Sequence, residues 1–147
     1  MLAKYSIEIL LVEDNVYDAE MTIMALKKRN LANSIRHVKD GAEALDFLLN
    51  ADGSLKEELP RIILLDLKLP KVDGLEVLRK LRCTELGKLV PVVVLTSSKQ
   101  DSDIEECYRM GVNSYMTKPV EFEDFMKVVS EMGYYWLLLN TQPELDR

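Results

Sequence analysis

A doubly wound α/β fold is what this sequence predicts, and three observations carry the prediction. Short runs of nearly continuous Ile, Val and Leu recur along the chain, segments with helix signals follow them, and acids stand where two of the runs end. Parallel strands covered by helices on both faces need such uninterrupted apolar runs, whereas a half-solvated strand alternates. Five runs qualify, at 7–12, 34–38, 62–65, 92–95 and 114–116. At 147 residues and 48% hydrophobic, the chain suits one globular domain over 1–147 with a core of its own.

The first run, Ile7-Glu8-Ile9-Leu10-Leu11-Val12, closes on Glu13-Asp14, and Asn15 is placed to cap a helix through Lys28. The second carries His37, the sole histidine, which has no partner at metal-ligand spacing and reads as a structural or surface residue. Asp40 with Glu43 three positions on has the pattern of a capping box and opens the second helix. The third run, Ile62-Ile63-Leu64-Leu65, ends on Asp66 and the turn Leu67-Lys68-Leu69-Pro70, after which Asp73 with Glu76 repeats the box. Val92-Val93-Val94-Leu95 ends on Thr96. Ser102 with Glu105 opens the fourth helix, which stops at Met110-Gly111, glycine standing where a left-handed cap is wanted. Ser114-Tyr115-Met116 leads into Thr117-Lys118. The last helix, from about Glu121, presents Phe122, Phe125, Met126, Val129, Met132 and Trp136 at helical spacing, a stripe expected to be core. Stretches 51–60 and 84–91 read as loops within the domain.

Right-handed crossovers and a sheet covered on both faces favour the strand order 2-1-3-4-5, whose crevice lies at the carboxyl ends of strands 1 and 3. Glu13, Asp14 and Asp66 fall there, and Thr96 and Lys118 end the neighbouring strands at the same edge. Close carboxylates repel by about 4 kcal/mol per pair at an effective dielectric near 20, so a cation belongs among them. An all-oxygen set without His or Cys suits a hard divalent ion, Mg2+. Acid, Mg2+, hydroxyl and lysine are together the parts that hold an anion of phosphate type during transfer. The Glu13-Asp14 pair can hold the metal, which leaves Asp66, alone on the next strand, as the better nucleophile for a phosphoryl group.

Composition excludes other classes. A net charge of −6 with scattered Lys and Arg leaves no basic stripe for nucleic acid. Cys83 and Cys107 form neither a disulfide framework nor a CxxC pair, which fits a reducing cytoplasm. With no signal-peptide pattern and no 18-residue apolar run, no membrane span is expected.

Leu11-Val12-Glu13-Asp14-Asn15, Leu65-Asp66-Leu67-Lys68-Leu69-Pro70, Asp73-Gly74, Leu95-Thr96-Ser97 and Tyr115-Met116-Thr117-Lys118-Pro119 resemble the receiver domain of two-component response regulators. Any one of these is common; five in this order and spacing, over about 8–136, are specific. The resemblance implies a flavodoxin-like fold, a Mg2+ site at Glu13 and Asp14 completed by Asp66 and the backbone carbonyl of Lys68, and phosphorylation of Asp66. It also implies a switch hydroxyl at Thr96, a phosphate-pairing lysine at Lys118, a moving aromatic at Tyr115 and a cis peptide at Lys118-Pro119. The phosphoryl group would come from a separate sensor histidine kinase. The expected output is a reshaped face of the fourth helix, fifth strand and fifth helix, read by a protein target, since the chain shows no output domain. A chemotaxis-receiver-like, stand-alone regulator is the expectation, and the long loops and aromatic helix end resemble the phytochrome-associated subgroup.

Lys68, two residues after Asp66, is expected to change the phosphoryl lifetime, and small Ser97 to leave the acceptor accessible. The apolar run Tyr134-Tyr135-Trp136-Leu137-Leu138-Leu139 predicts a homodimer, with the fourth-helix, fifth-strand, fifth-helix face as its surface. Two alternatives differ in kind. An aspartate-nucleophile phosphohydrolase of the haloacid dehalogenase type would want an Asp where Lys68 stands, and a non-phosphorylated scaffold receiver would have lost one of the acids or the lysine.

Overall fold

The computed structural model describes residues 5–32 and 34–143. Its strands are β1 Tyr5–Val12, β2 Ile35–Val38, β3 Leu59–Leu65, β4 Val92–Thr96 and β5 Ser114–Thr117, and its α-helices are α1 Val16–Lys28, α2 Gly41–Leu48, α3 Gly74–Arg82, α4 Asp101–Arg109 and α5 Phe122–Gly133. All strands pair in parallel, in the expected order β2-β1-β3-β4-β5.

Period-two side-chain alternation sends neighbouring residues of each strand to opposite faces, and both faces are covered. Leu10, Val12, Ile63, Leu65, Val92 and Val94 pack with Ala44 and Leu48 of α2 and Val77, Leu78 and Leu81 of α3. Ile9, Leu11, Ile62, Leu64, Val93 and Leu95 pack with Ala19 and Leu26 of α1 and Phe125, Val129 and Met132 of α5. Uninterrupted apolar runs are the direct result of having a core on each side.

Asn15, Asp40 and Asp73 cap α1, α2 and α3 as expected, accepting from the amides of Asp18, Glu43 and Leu75 at 3.0, 2.8 and 3.2 Å. The two capping boxes close differently: Glu43 accepts from the Lys39 amide at 3.3 Å, and Glu76 pairs with Arg79 one turn on. Ser102 is not the cap of α4. The helix starts earlier, behind Gln100, because the Ser98 hydroxyl accepts from the Gln100 amide at 3.3 Å and donates to Asp103 at 2.6 Å. Gly111 has φ +82°, the left-handed stop the sequence called for.

Phe122 is 54% exposed and corrects the expectation that the whole α5 stripe is core. A helical side chain leans over the turn before it, and the first residue of α5 has no such turn to cover. Beyond Gly133 the helix widens into a π-helical run, Tyr134–Leu139, of which Leu137 is buried while Tyr134, Tyr135, Leu138 and Leu139 are exposed. Gln142 then returns to the sheet and donates to the Arg61 carbonyl at 3.1 Å. Stretch 84–91 holds a 3-10 turn, Leu86–Leu89, clipped by Arg82, whose guanidinium donates to the carbonyls of Val90 at 2.8 Å and Gly111 at 2.9 Å. Cys83 is exposed and Cys107 buried, and both are free thiols. No helix among the described residues is long and apolar enough to cross a membrane.

Candidate functional site at the carboxyl edge of the sheet

β1 and β3 run side by side with Val12 level with Leu65, so Glu13 and Asp66, the next residues of each, leave the sheet together. Both acids are buried, at 2% and 6% exposure, while Asp14 is exposed. Glu13, Asp14 and Asp66 each offer a carboxylate oxygen, and these atoms lie within 4.8 Å of one another. The loop that carries the pair is fixed from two sides: the Glu13 Oε2 accepts from the Asn15 amide at 3.1 Å, and the Glu13 carbonyl lies 2.7 Å from Nε2 of His37. Of the structural and surface readings the sequence left open for His37, this contact with the Glu13 carbonyl gives it the structural one.

Asp66 is set by its own turn. The Lys68 amide donates to Asp66 Oδ1 at 3.4 Å, and the Gly74 amide donates to the Leu67 carbonyl at 3.0 Å. A β-carbon at Gly74 would collide with the Asp66 carbonyl and lie 2.8 Å from Cα of Leu67, which explains why glycine follows Asp73.

Lys118 comes from the end of β5, and its amide donates to the Thr96 carbonyl at 2.7 Å. Its ammonium, on a side chain only 9% exposed, reaches Glu13 Oε1 at 2.8 Å, Asp18 Oδ2 at 2.8 Å and Asp66 Oδ2 at 3.0 Å. Burial alone would favour the neutral amine. The hydrogen bonds to Asp18 and Glu13, with the charges of Glu13 and Asp66, outweigh it and hold the ammonium above the usual lysine range. Glu13 moves the other way for an acid: burial, opposed by the bond to Lys118 and reinforced by the charge of Asp66, pushes its carboxyl up to about 7. One lysine does not neutralise these acids, and a hard cation with oxygen preference fits the donor set.

The remaining expected residues sit around this centre. Thr96 is fully buried at the end of β4, and its hydroxyl accepts from the Ser98 amide at 3.4 Å. Tyr115 of β5 is half-buried, and its hydroxyl donates to the Ser98 carbonyl at 3.0 Å. Burial raises its phenol above the ordinary value, despite that bond. The Lys68 side chain is exposed, and its ammonium lies 3.9 Å from Asp103. Ser97 is exposed beside Thr96. The expected cis bond at Lys118-Pro119 is corrected: no described peptide bond is cis. Trans is the lower-energy isomer even before proline, and here Lys118 meets all three carboxylates from it.

Sequence reasoning missed Asp18. It sits in the first turn of α1, where an acid also serves the helix dipole, and the signal for it was the spacing Asn15-x-x-Asp18 next to the acidic pair.

The family model of the response regulator receiver domain matches residues 9–130. The chain is 44% identical over 135 residues to the probable methanogenesis regulatory protein FilR2 of Methanothrix harundinacea, covering 92% of this chain and 86% of that protein. It is 37% identical over 135 residues to the response regulator Rcp1 of Synechocystis sp., covering 92% of each. The crystal structure of the Mn2+-bound form of Rcp1 superposes with a TM-score of 0.84 over 93% of this chain and 99% of that one. The crystal structure of the phosphorylated cyanobacterial phytochrome response regulator RcpA is 35% identical, with a TM-score of 0.85 over 94% of this chain and 99% of that one. With its sheet order, its acids at the crevice and these matches, the chain belongs to the receiver domain family of two-component response regulators.

Proposed function

We propose that this chain accepts a phosphoryl group on Asp66 from the phosphohistidine of a sensor histidine kinase and works as a stand-alone regulator. The observation that carries this reading is Lys118, which brings a buried ammonium to Asp66 and Glu13 at the point where the metal-type acids gather. Glu13, Asp14 and Asp66, with the Lys68 carbonyl, would hold Mg2+. Bound there, the ion neutralises charge on the transferring phosphoryl oxygens.

In the transfer an Asp66 carboxylate oxygen attacks phosphorus, the bond from phosphorus to the donor nitrogen breaks, and the imidazole leaves with that electron pair. Lys118 supplies positive charge to the phosphoryl oxygens. Release is attack by water on phosphorus, with the bond to the Asp66 oxygen breaking to give inorganic phosphate. The Lys68 ammonium, held near Asp103, is close enough in sequence to Asp66 to alter that second step.

The Thr96 hydroxyl and Tyr115 give the modification a route outward. Both bond to Ser98, in the loop that leads to α4, so a hydroxyl drawn toward a phosphoryl group disturbs the same residue that anchors Tyr115. The face of α4, β5 and α5 is the reading's output surface, and exposed Tyr108 and Phe122 give it apolar character suited to a protein target or to a second copy of this chain. Near-complete coverage of FilR2 and Rcp1 supports the stand-alone form, and the similarity to RcpA supports a phytochrome-type kinase as donor. The reading places the protein in the cytoplasm, with no nucleic-acid contact of its own.

Incubation with acetyl phosphate and Mg2+, followed by intact mass measurement, tests the acceptor. Wild type is expected to gain one phosphoryl mass and Asp66→Asn none. No gain in wild type, or an equal gain in the variant, overturns the reading.

A further inference from the structure

Lys118 has three N–H bonds and three carboxylates, and the three are not equivalent. Glu13 and Asp66 belong to the group whose oxygens converge for a divalent ion; Asp18, at 2.8 Å, does not. Asp18 is also the one of the three that lies on a helix, in the first turn of α1. Its amide is bonded to the Asn15 side chain at 3.0 Å, and its carbonyl accepts from the Thr22 hydroxyl at 2.7 Å. The carboxylate therefore stands on a rigid first turn and presents one fixed acceptor to the lysine.

A divalent ion and an ammonium that share Glu13 and Asp66 compete for the same oxygens, and like charges at that distance repel. The lysine then needs a partner outside the metal set. We propose that Asp18 is a positioning residue that holds the Lys118 ammonium when a divalent ion takes the oxygens of Glu13 and Asp66, so that metal and lysine occupy the crevice together. This rests on the reading of Glu13, Asp14 and Asp66 as the metal site. Without the Asp18 carboxylate the ammonium has only Glu13 and Asp66 to pair with, and metal has to displace it. Asp18 acts here through Lys118 and not on the metal, which separates this role from that of a further acid adding to the field of the crevice.

Mn2+ affinity, read by electron paramagnetic resonance without any phosphodonor, tests this in a double-mutant cycle. Asp18→Asn in the wild-type background is expected to weaken Mn2+ binding about tenfold, and in the Lys118→Met background about twofold, the remainder due to lost negative charge. Equal losses in both backgrounds, or none in wild type, overturn the proposal. Wild type that binds no Mn2+ removes the metal-site reading and this proposal with it. A second measurement does not depend on Lys118→Met folding. In protein labelled with 15N-lysine and saturated with Mg2+, the Lys118 ammonium is expected to remain protected from solvent exchange in wild type and to lose protection in Asp18→Asn. Loss in wild type as well, or retention in the variant, contradicts an anchor at Asp18.

Discussion

β4 and β5 lie side by side, paired from Val93 with Ser114 to Thr96 with Thr117, yet every residue of β4 is buried and every residue of β5 only half-buried. The difference follows from position, since β4 has a strand on each side and β5 is the edge. Interior strands β1, β3 and β4 deliver residues whose freedom is small: Glu13, Asp66 and Thr96 are all buried. The edge strand delivers Lys118 into the centre and Tyr115 toward the surface loop. Chemistry needs fixed groups and signalling needs one that can move, and the sheet supplies both from neighbouring strands.

The largest effect expected is on the interior. Phe125, 2% exposed against the sheet, should cost about 3–5 kcal/mol when replaced by Ala, measured by urea denaturation. A loss no larger than that of an edge substitution would erase the contrast. Lys118→Met comes next: the initial rate of acetyl-phosphate uptake should fall on the order of 10²–10³-fold, as for removal of a single charge-stabilising donor. An unchanged rate would make the lysine structural only.

Glu13 provides a pH test of how tightly the interior acids are held. Its folded value is raised from the ordinary 4.5 to about 7, so the folded state binds the extra proton between those limits. In metal-free protein its contribution to stability is therefore greatest below about 4.5, declines as pH rises toward about 7 and is level above that. Chemical denaturation of wild type minus Glu13→Gln across that range isolates the slope, and identical pH profiles for the two proteins would contradict it. The smallest effect is at the edge. Tyr115→Phe removes one bond to the Ser98 carbonyl and should cost about 1 kcal/mol or less, with acetyl-phosphate uptake unchanged.

Much of this was legible in local sequence. The runs of Ile, Val and Leu marked the strands because both faces of the sheet are covered, and Asn15, Asp40 and Asp73 marked helix starts because their side chains meet amides two or three residues away. The acids at the crevice were legible because strand ends converge in a doubly wound sheet. What was not legible depends on distant partners. Asp18 meets Lys118 across 100 positions, and the start of α4 is set by Ser98 and Asp103 rather than by Ser102. Phe122 has the right spacing for the core and lies outside it, since periodicity does not say where a helix first meets the sheet. The π-helical run was hidden for a similar reason: Tyr134–Leu139 is apolar throughout, so nothing in its pattern marks a change of helical period.

The central claim is that Asp66, among the crowded acids of the interior edge, is the one that carries the phosphoryl group. Borohydride reduces an acyl phosphate to the alcohol, so trapping after acetyl phosphate and Mg2+ converts the modified aspartate to homoserine, which peptide mass spectrometry locates. Homoserine at position 66 alone is the predicted result. Homoserine at Asp14 or Asp18, or at no position, would contradict the account.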